Sequence, residues 1–149
     1  MTEAHHYTEC GLDYVWLLNG FSILETAYGP AAQVDRAEEL DRRIALAVIH
    51  RQCSLTGQEV RFLRGLLNMT QTELGTLLGK DAQSVARWER AKTAVPPTED
   101  RALRQIYLES TGHAWKFTDT VRMVASIAGR SERFIFRELP EGVWESQAA

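Results

Sequence analysis

Residues 70–93 read TQTELGTLLGKDAQSVARWERAKT, and the fold turns on how this stretch is read. Thr70-Gln71-Thr72-Glu73 has the form of a capping box. The Thr hydroxyl takes one N–H of the first helical turn, and the Glu carboxylate reaches back to another. A helix over the adjoining LGTLLG is expected. Gly79 comes where the chain must turn sharply, and Asp81 is placed to cap the next helix. On a helical wheel of about 100° per residue, Ala86, Arg87 and Arg90 fall within about 60° of Gln83. Val85, Trp88 and Glu89 point the other way. Leu74, Leu77 and Leu78 are expected on one face of the preceding helix, packing against Val85 and Trp88. Gly75, without a side chain, lets the next helix come close. Two helices joined by a tight turn, the second with a polar outer face, suit a helix laid into the DNA major groove.

Working outward, Thr56-Gly57-Gln58-Glu59 is a second capping box and opens QEVRFLRGLLN. Pro96-Pro97 closes the segment beyond the third helix, and Thr98-Glu99-Asp100 starts a fourth with both acids at its positive end. Short turns between short helices predict a compact bundle over 55–110. Leu40, Ile44, Ala47 and Val48 predict an amphipathic helix over 36–52. Nearer the N-terminus, Asn19-Gly20 between apolar runs predicts a hairpin of strands 14–18 and 21–27, with GPAAQ as the loop beyond. In the C-terminal part, Val121, Val124 and Ile127 suggest a short helix over 118–128 closed by Gly129. Residues 133–144 alternate around Leu139-Pro140-Glu141-Gly142, as a strand or hairpin does, and the tail SQAA is expected to fray.

A chain of 149 residues, 44% hydrophobic and 25% charged, has the composition of a soluble globular protein. No apolar run is long enough to cross a bilayer, and MTEAHHYTEC lacks the features of a signal peptide, so a cytoplasmic location is expected. Charge is uneven: residues 1–54 carry a net −4, 55–110 a net +1, and 111–149 are balanced. Lys80, Arg87, Arg90 and Lys92 concentrate positive charge mid-chain, as one DNA-facing element requires. His6, Cys10, His50 and Cys53 could make a two-Cys, two-His zinc site, but their spacings match no zinc knuckle and no CxxC occurs. Buried thiols and surface histidines are expected instead, with no metal and no cofactor. GxSxG, P-loop, HExxH and dinucleotide signatures are missing. Cys10 with His6 lacks an oxyanion hole or an orienting third group, so a non-enzymatic protein is expected.

The stretch LTGQEVRFLRGLLNMTQTELGTLLGKDAQSVARWERAKTAVP resembles the helix-turn-helix of the Cro/C1 (XRE) family of regulators. The resemblance rests on the spaced series LR, TQ-x-E-L, LG, QSV, WE and K-T-x-x-P, over a little more than a third of the chain. RFLR and QSVARWE look most like the DNA-binding domain of MqsA-type antitoxins, and HYTECGLDYVWLLNGF resembles the leading segment of proteins in that group. The cysteine-pair zinc module of those antitoxins is missing here. Gly75 stands where the family usually has Ala, and Ala91 where Gly is common.

The resemblance implies a mainly α, lambda-repressor-like bundle at 55–110. Small β-containing segments flank it, at 1–54 (a dimer or partner surface) and at 111–149. It implies that Gln83 and Arg87 reach base edges, Gln suited to adenine and Arg to guanine. It implies phosphate contacts by Gln71, Arg90, Lys92 and Thr93, and an ion pair of Arg64 with Glu89 beneath the recognition helix. The expected protein is a homodimeric repressor of antitoxin type that binds an inverted repeat in double-stranded DNA and acts on its own operon. The alternatives are a protein-interaction module whose acidic N-terminal third binds a toxin or other basic partner, and a metal- or ligand-sensing regulator.

Overall fold

Both capping boxes form. Thr56 Oγ1 accepts from the Glu59 N–H at 3.2 Å while Glu59 Oε1 accepts from the Thr56 N–H at 2.8 Å. The same exchange joins Thr70 and Glu73 at 3.0 Å in both directions. These boxes start helices α2 (Gly57–Leu66) and α3 (Gln71–Leu78). Gly79 ends α3 with φ 70°, a left-handed turn that costs glycine nothing. Asp81 then caps α4 (Ala82–Glu89) by accepting from the Ser84 N–H at 2.8 Å. Helix α5 (Pro97–Ser110) departs from expectation at its start. Pro97, not Thr98, is its first residue, preset by the fixed φ of proline, and Pro96 offers no side-chain cap. Glu99 and Asp100 do lie in its first turn.

The computed structural model describes residues 4–112 and 133–147. The helix expected over 118–128, with its closing Gly129, lies outside the described residues. Contacts divide the chain into two units, Val48–Arg130 and Met1–Ala47 with Ser131–Ala149, and the division falls inside helix α1 (Ala37–His50). Among the described residues no helix is long and apolar enough to cross a membrane.

In the helical unit α4 packs on α2 and α3, and α5 packs on the same two helices. Val60, Leu63, Leu74, Val85, Trp88, Leu103 and Leu108 are buried in it. Each aliphatic side chain of this kind contributes about 1.5–3 kcal/mol by leaving water. Leu77 was expected in this core and is 57% exposed, while Leu74 is fully buried. Three residues advance a helix by about 300°, and that offset turns Leu77 to solvent. The end of α1 and the segment that follows it are tied down by Arg104 of α5, itself fully buried. Its guanidinium donates to the carbonyls of Ile49, Arg51 and Cys53 and to Asp100 Oδ1. Asp100 Oδ2 also accepts from the Leu55 N–H at 2.7 Å.

The flanks do not stay apart. Strands β1 (His5–His6), β2 (Val15–Leu17), β5 (Phe134–Glu138) and β6 (Trp144–Gln147) form one sheet in that order, with β2 parallel to β5 and the other pairs antiparallel. Val15, Leu17, Phe136 and Trp144 are buried in this unit. The expected hairpin at Asn19-Gly20 does not form. Asn19 instead exchanges hydrogen bonds with the Glu138 backbone, and the chain leaves β2 for a second sheet. There β3 (Phe21–Thr26) pairs with β4 (Gly29–Val34), so the GPAAQ loop is a strand and the turn is Ala27-Tyr28. Ser146 and Gln147, expected to fray, belong to β6. With five helices and six strands described, helices predominate but the strands join into two sheets, so the expected mainly α fold holds only in part.

Candidate nucleic-acid interface

Helix α4 keeps the two faces that its sequence requires. Val85 is fully buried and Trp88 is 4% exposed, whereas Gln83, Arg87 and Arg90 are exposed. The helix is seated by close backbone approaches at both ends. A Cβ on Gly75 would stand 2.7 Å from the Lys80 carbonyl oxygen, so the α3–α4 turn folds over a position where only glycine fits. A Cβ on Gly57 would collide with the Trp88 carbonyl oxygen. The first residue of α2 therefore abuts the last turn of α4, a contact that the sequence reading missed. Glycine beside a capping threonine was its signal.

Beneath α4, Arg64 Nε donates to Glu89 Oε2 at 2.6 Å and Arg64 Nη2 to Glu89 Oε1 at 3.0 Å. This is the two-pronged geometry that a guanidinium shares with a carboxylate. The Arg64 side chain is 19% exposed and that of Glu89 5%. Hydrogen bonding to Glu89 holds the guanidinium above its ordinary pKa. Arg64 Nη1 also donates to the Met69 carbonyl at 3.0 Å, fixing the α2–α3 turn. Gln71, expected at a phosphate, has its amide on this pair, donating to Glu89 Oε1 at 3.1 Å. A primary amide has a second N–H, and that one remains for a ligand.

Arg61, Arg64, Gln71, Ala86, Glu89 and Arg90 line one cleft beside α4. Arg61 was not picked out in the sequence, although it precedes Arg64 by three residues and so shares its face of α2. Its guanidinium and that of Arg90 give the cleft positive charge that Glu89, paired with Arg64, does not cancel. Lys92 and Thr93 are exposed just past α4. The chain there is held by Lys92 N–H donating to the Arg87 carbonyl at 2.9 Å, with Ala91 at φ 58°.

The histidines and cysteines behave differently. His6 Nε2 lies 2.7 Å from the Asp13 carbonyl, and Cys10 Sγ 3.7 Å from that of Tyr7. Burial, as the main cause, pushes the Cys10 thiol up to about 11, the reverse of what activates a thiolate. Among the described residues, no three or more His, Cys, Asp or Glu side chains gather as a metal site.

The base of α4 is thus pinned, and its outer face bears Gln83 and Arg87. Residues 60–100 match the helix-turn-helix family model. The matched segment runs from within α2 to the first turn of α5 and contains the whole of α3 and α4. The match is to a helix-turn-helix of the Cro/C1 type, which suggests a DNA-binding transcription regulator. In motifs of that type the second helix enters the major groove and the first crosses the backbone; α4 and α3 hold those two places in the matched segment. No curated protein and no solved structure matches the chain.

Proposed function

We propose that the protein is a sequence-specific transcriptional repressor that reads an inverted repeat as a homodimer. The observation that carries this reading is the exposed pair Gln83 and Arg87 on one face of a recognition helix whose opposite face is buried. Gln83 is matched to the N6 and N7 edge of adenine, and Arg87 to O6 and N7 of guanine. Gln71, Arg61, Arg90, Lys92 and Thr93 serve the phosphates on either side and carry no sequence information. Arg64 and Glu89 act on DNA indirectly by fixing the height and tilt of α4. An isolated helix-turn-helix buries too little surface for tight specific binding, which favours two half-sites and two copies. An intracellular antitoxin that represses its own operon is the biological version to which the sequence resemblance points.

Selection of bound sequences from random double-stranded DNA tests specificity and symmetry together. The expected product is a palindrome whose half-sites contain a guanine read by Arg87. On that site Arg87→Ala should lose about 1–3 kcal/mol and relax the preference at one base pair per half-site. Selection without enrichment, or an unchanged preference in the variant, refutes the assignment.

A further inference from the structure

The β3–β4 hairpin has no third strand among the described residues. Ile23 is 54% exposed, Leu24 48% and Tyr28 fully exposed. A lone two-stranded ribbon is marginal in water, and an open strand edge is a template for pairing. Its two edges are not equal. The Asp35 N–H donates to the Gly20 carbonyl at 2.8 Å, so this pair is hydrogen-bonded inward. In an antiparallel ladder, hydrogen-bonded and non-hydrogen-bonded pairs alternate. With the observed register, Ser22–Gln33, Leu24–Ala31 and Thr26–Gly29 therefore also bond inward, and Phe21–Val34, Ile23–Ala32 and Glu25–Pro30 aim their backbone groups outward. Pro30 falls on the outer edge of β4, where its missing N–H interrupts any further pairing. The outer edge of β3 has its full set of donors and acceptors at Phe21, Ile23 and Glu25.

From this asymmetry we infer that the outer edge of β3 is the homodimer contact, pairing antiparallel with β3 of a second copy. The inference rests on the homodimer proposed above and names its surface. A two-fold axis through such a pair runs perpendicular to the sheet and pairs residues of the same face. Centred on Ile23, it sets Ile23 against Ile23 of the second copy and each Phe21 against the other copy's Glu25. All three outward-facing residues then exchange both backbone bonds. Glu25, the one charged side chain in the ribbon, meets an aromatic ring and not its own copy. Phe21, Ile23, Ala32 and Val34 of each copy combine into one apolar face across four strands. β-branched and aromatic neighbours of this kind stabilise a sheet by packing across strands.

Sedimentation equilibrium of the full chain should show a dimer. Ile23→Lys sets two ammonium groups against each other on the axis and should raise the dimer dissociation constant by at least about a hundredfold. Ile23 is exposed in the single chain, so the variant should keep its circular dichroism, while its thermal midpoint should no longer rise with protein concentration as that of the dimer does. Tyr28→Ser, at the hairpin tip outside the pairing, should leave the dimer unchanged. A monomeric wild type, in which the ribbon serves some other protein, overturns the inference, and so does a dimer that survives Ile23→Lys. Binding to a single half-site separates this inference from the DNA reading. Ile23→Lys should keep wild-type affinity for the half-site and lose its advantage on the repeat. A wild-type dimer broken by Ile23→Lys that binds no DNA would support the interface and sink the DNA reading.

Discussion

Ala91 sits just past α4 with φ 58°, in the left-handed region. An L residue there suffers a clash between Cβ and the next carbonyl worth roughly 1–2 kcal/mol. Glycine would remove that cost and add some entropy to the unfolded chain. Ala91→Gly should therefore stabilise the protein by about 0.5–1 kcal/mol, read as a higher thermal midpoint. A lower midpoint would show that the alanine methyl packs favourably enough to outweigh the strain. Asn68 has a similar φ of 56°, but its short amide tolerates this region, and no comparable gain is expected from glycine there.

At the level of the elements, α3 and α4 each depend on a carboxylate at the N-terminus. Accepting the Thr70 N–H holds Glu73 below its ordinary pKa, and accepting the Ser84 N–H does the same for Asp81. By linkage, a depressed folded-state value contributes stability above the unfolded value and loses it as pH falls through the folded one. For Asp81 that window opens near 3.8 and extends downward. Asn caps helices as well as Asp and does not titrate. Asp81→Asn should therefore take up fewer protons on acid unfolding and flatten the acid limb of the helicity titration. An unchanged limb would mean that the cap is not in place in solution. The cleft between α2 and α4 makes a second element-scale prediction. Arg61→Ala should weaken binding to all sequences about equally and lower the slope of log K against log salt by about one. A loss confined to one base position would make Arg61 a reader and not a phosphate contact.

For the whole molecule, the helical unit is tied to residues that precede its first capping box. Arg104 has no exposed surface and holds the carbonyls of Ile49, Arg51 and Cys53. A fragment begun at residue 55 removes all three acceptors and leaves a buried guanidinium with Asp100 alone. Breaking a buried charge from its partners costs about 3–5 kcal/mol, a large part of what a small domain has. Residues 48–112 should unfold cooperatively and keep base preference, while 55–112 should be less stable by about that amount in urea titrations. Equal midpoints would show that the linker carbonyls do not matter. Buried Arg51, which pairs with Glu59 of α2, lies in the same segment and is lost with it.

Residues 56–90 were legible in the sequence because their determinants are local. A capping box, a left-handed glycine and the placement of Val85 and Trp88 act within a turn or two, where sequence spacing is nearly spatial distance. Gln83 and Arg87 could be assigned to the outer face for that reason. The burial of Leu77 failed the same test, because the width of an apolar stripe depends on what packs against it. Strand pairing is different in kind. Asn19-Gly20 has the composition of a tight hairpin, yet Asn19 bonds to Glu138, 119 residues away, and β2 lies parallel to β5. A local pattern determines that Val15–Leu17 is extended but not which strand it meets, since partner choice is a competition among distant segments. The carbonyls held by Arg104 and the outward aim of Phe21, Ile23 and Glu25 were likewise decided by tertiary structure, through backbone groups that every residue has and no sequence motif marks.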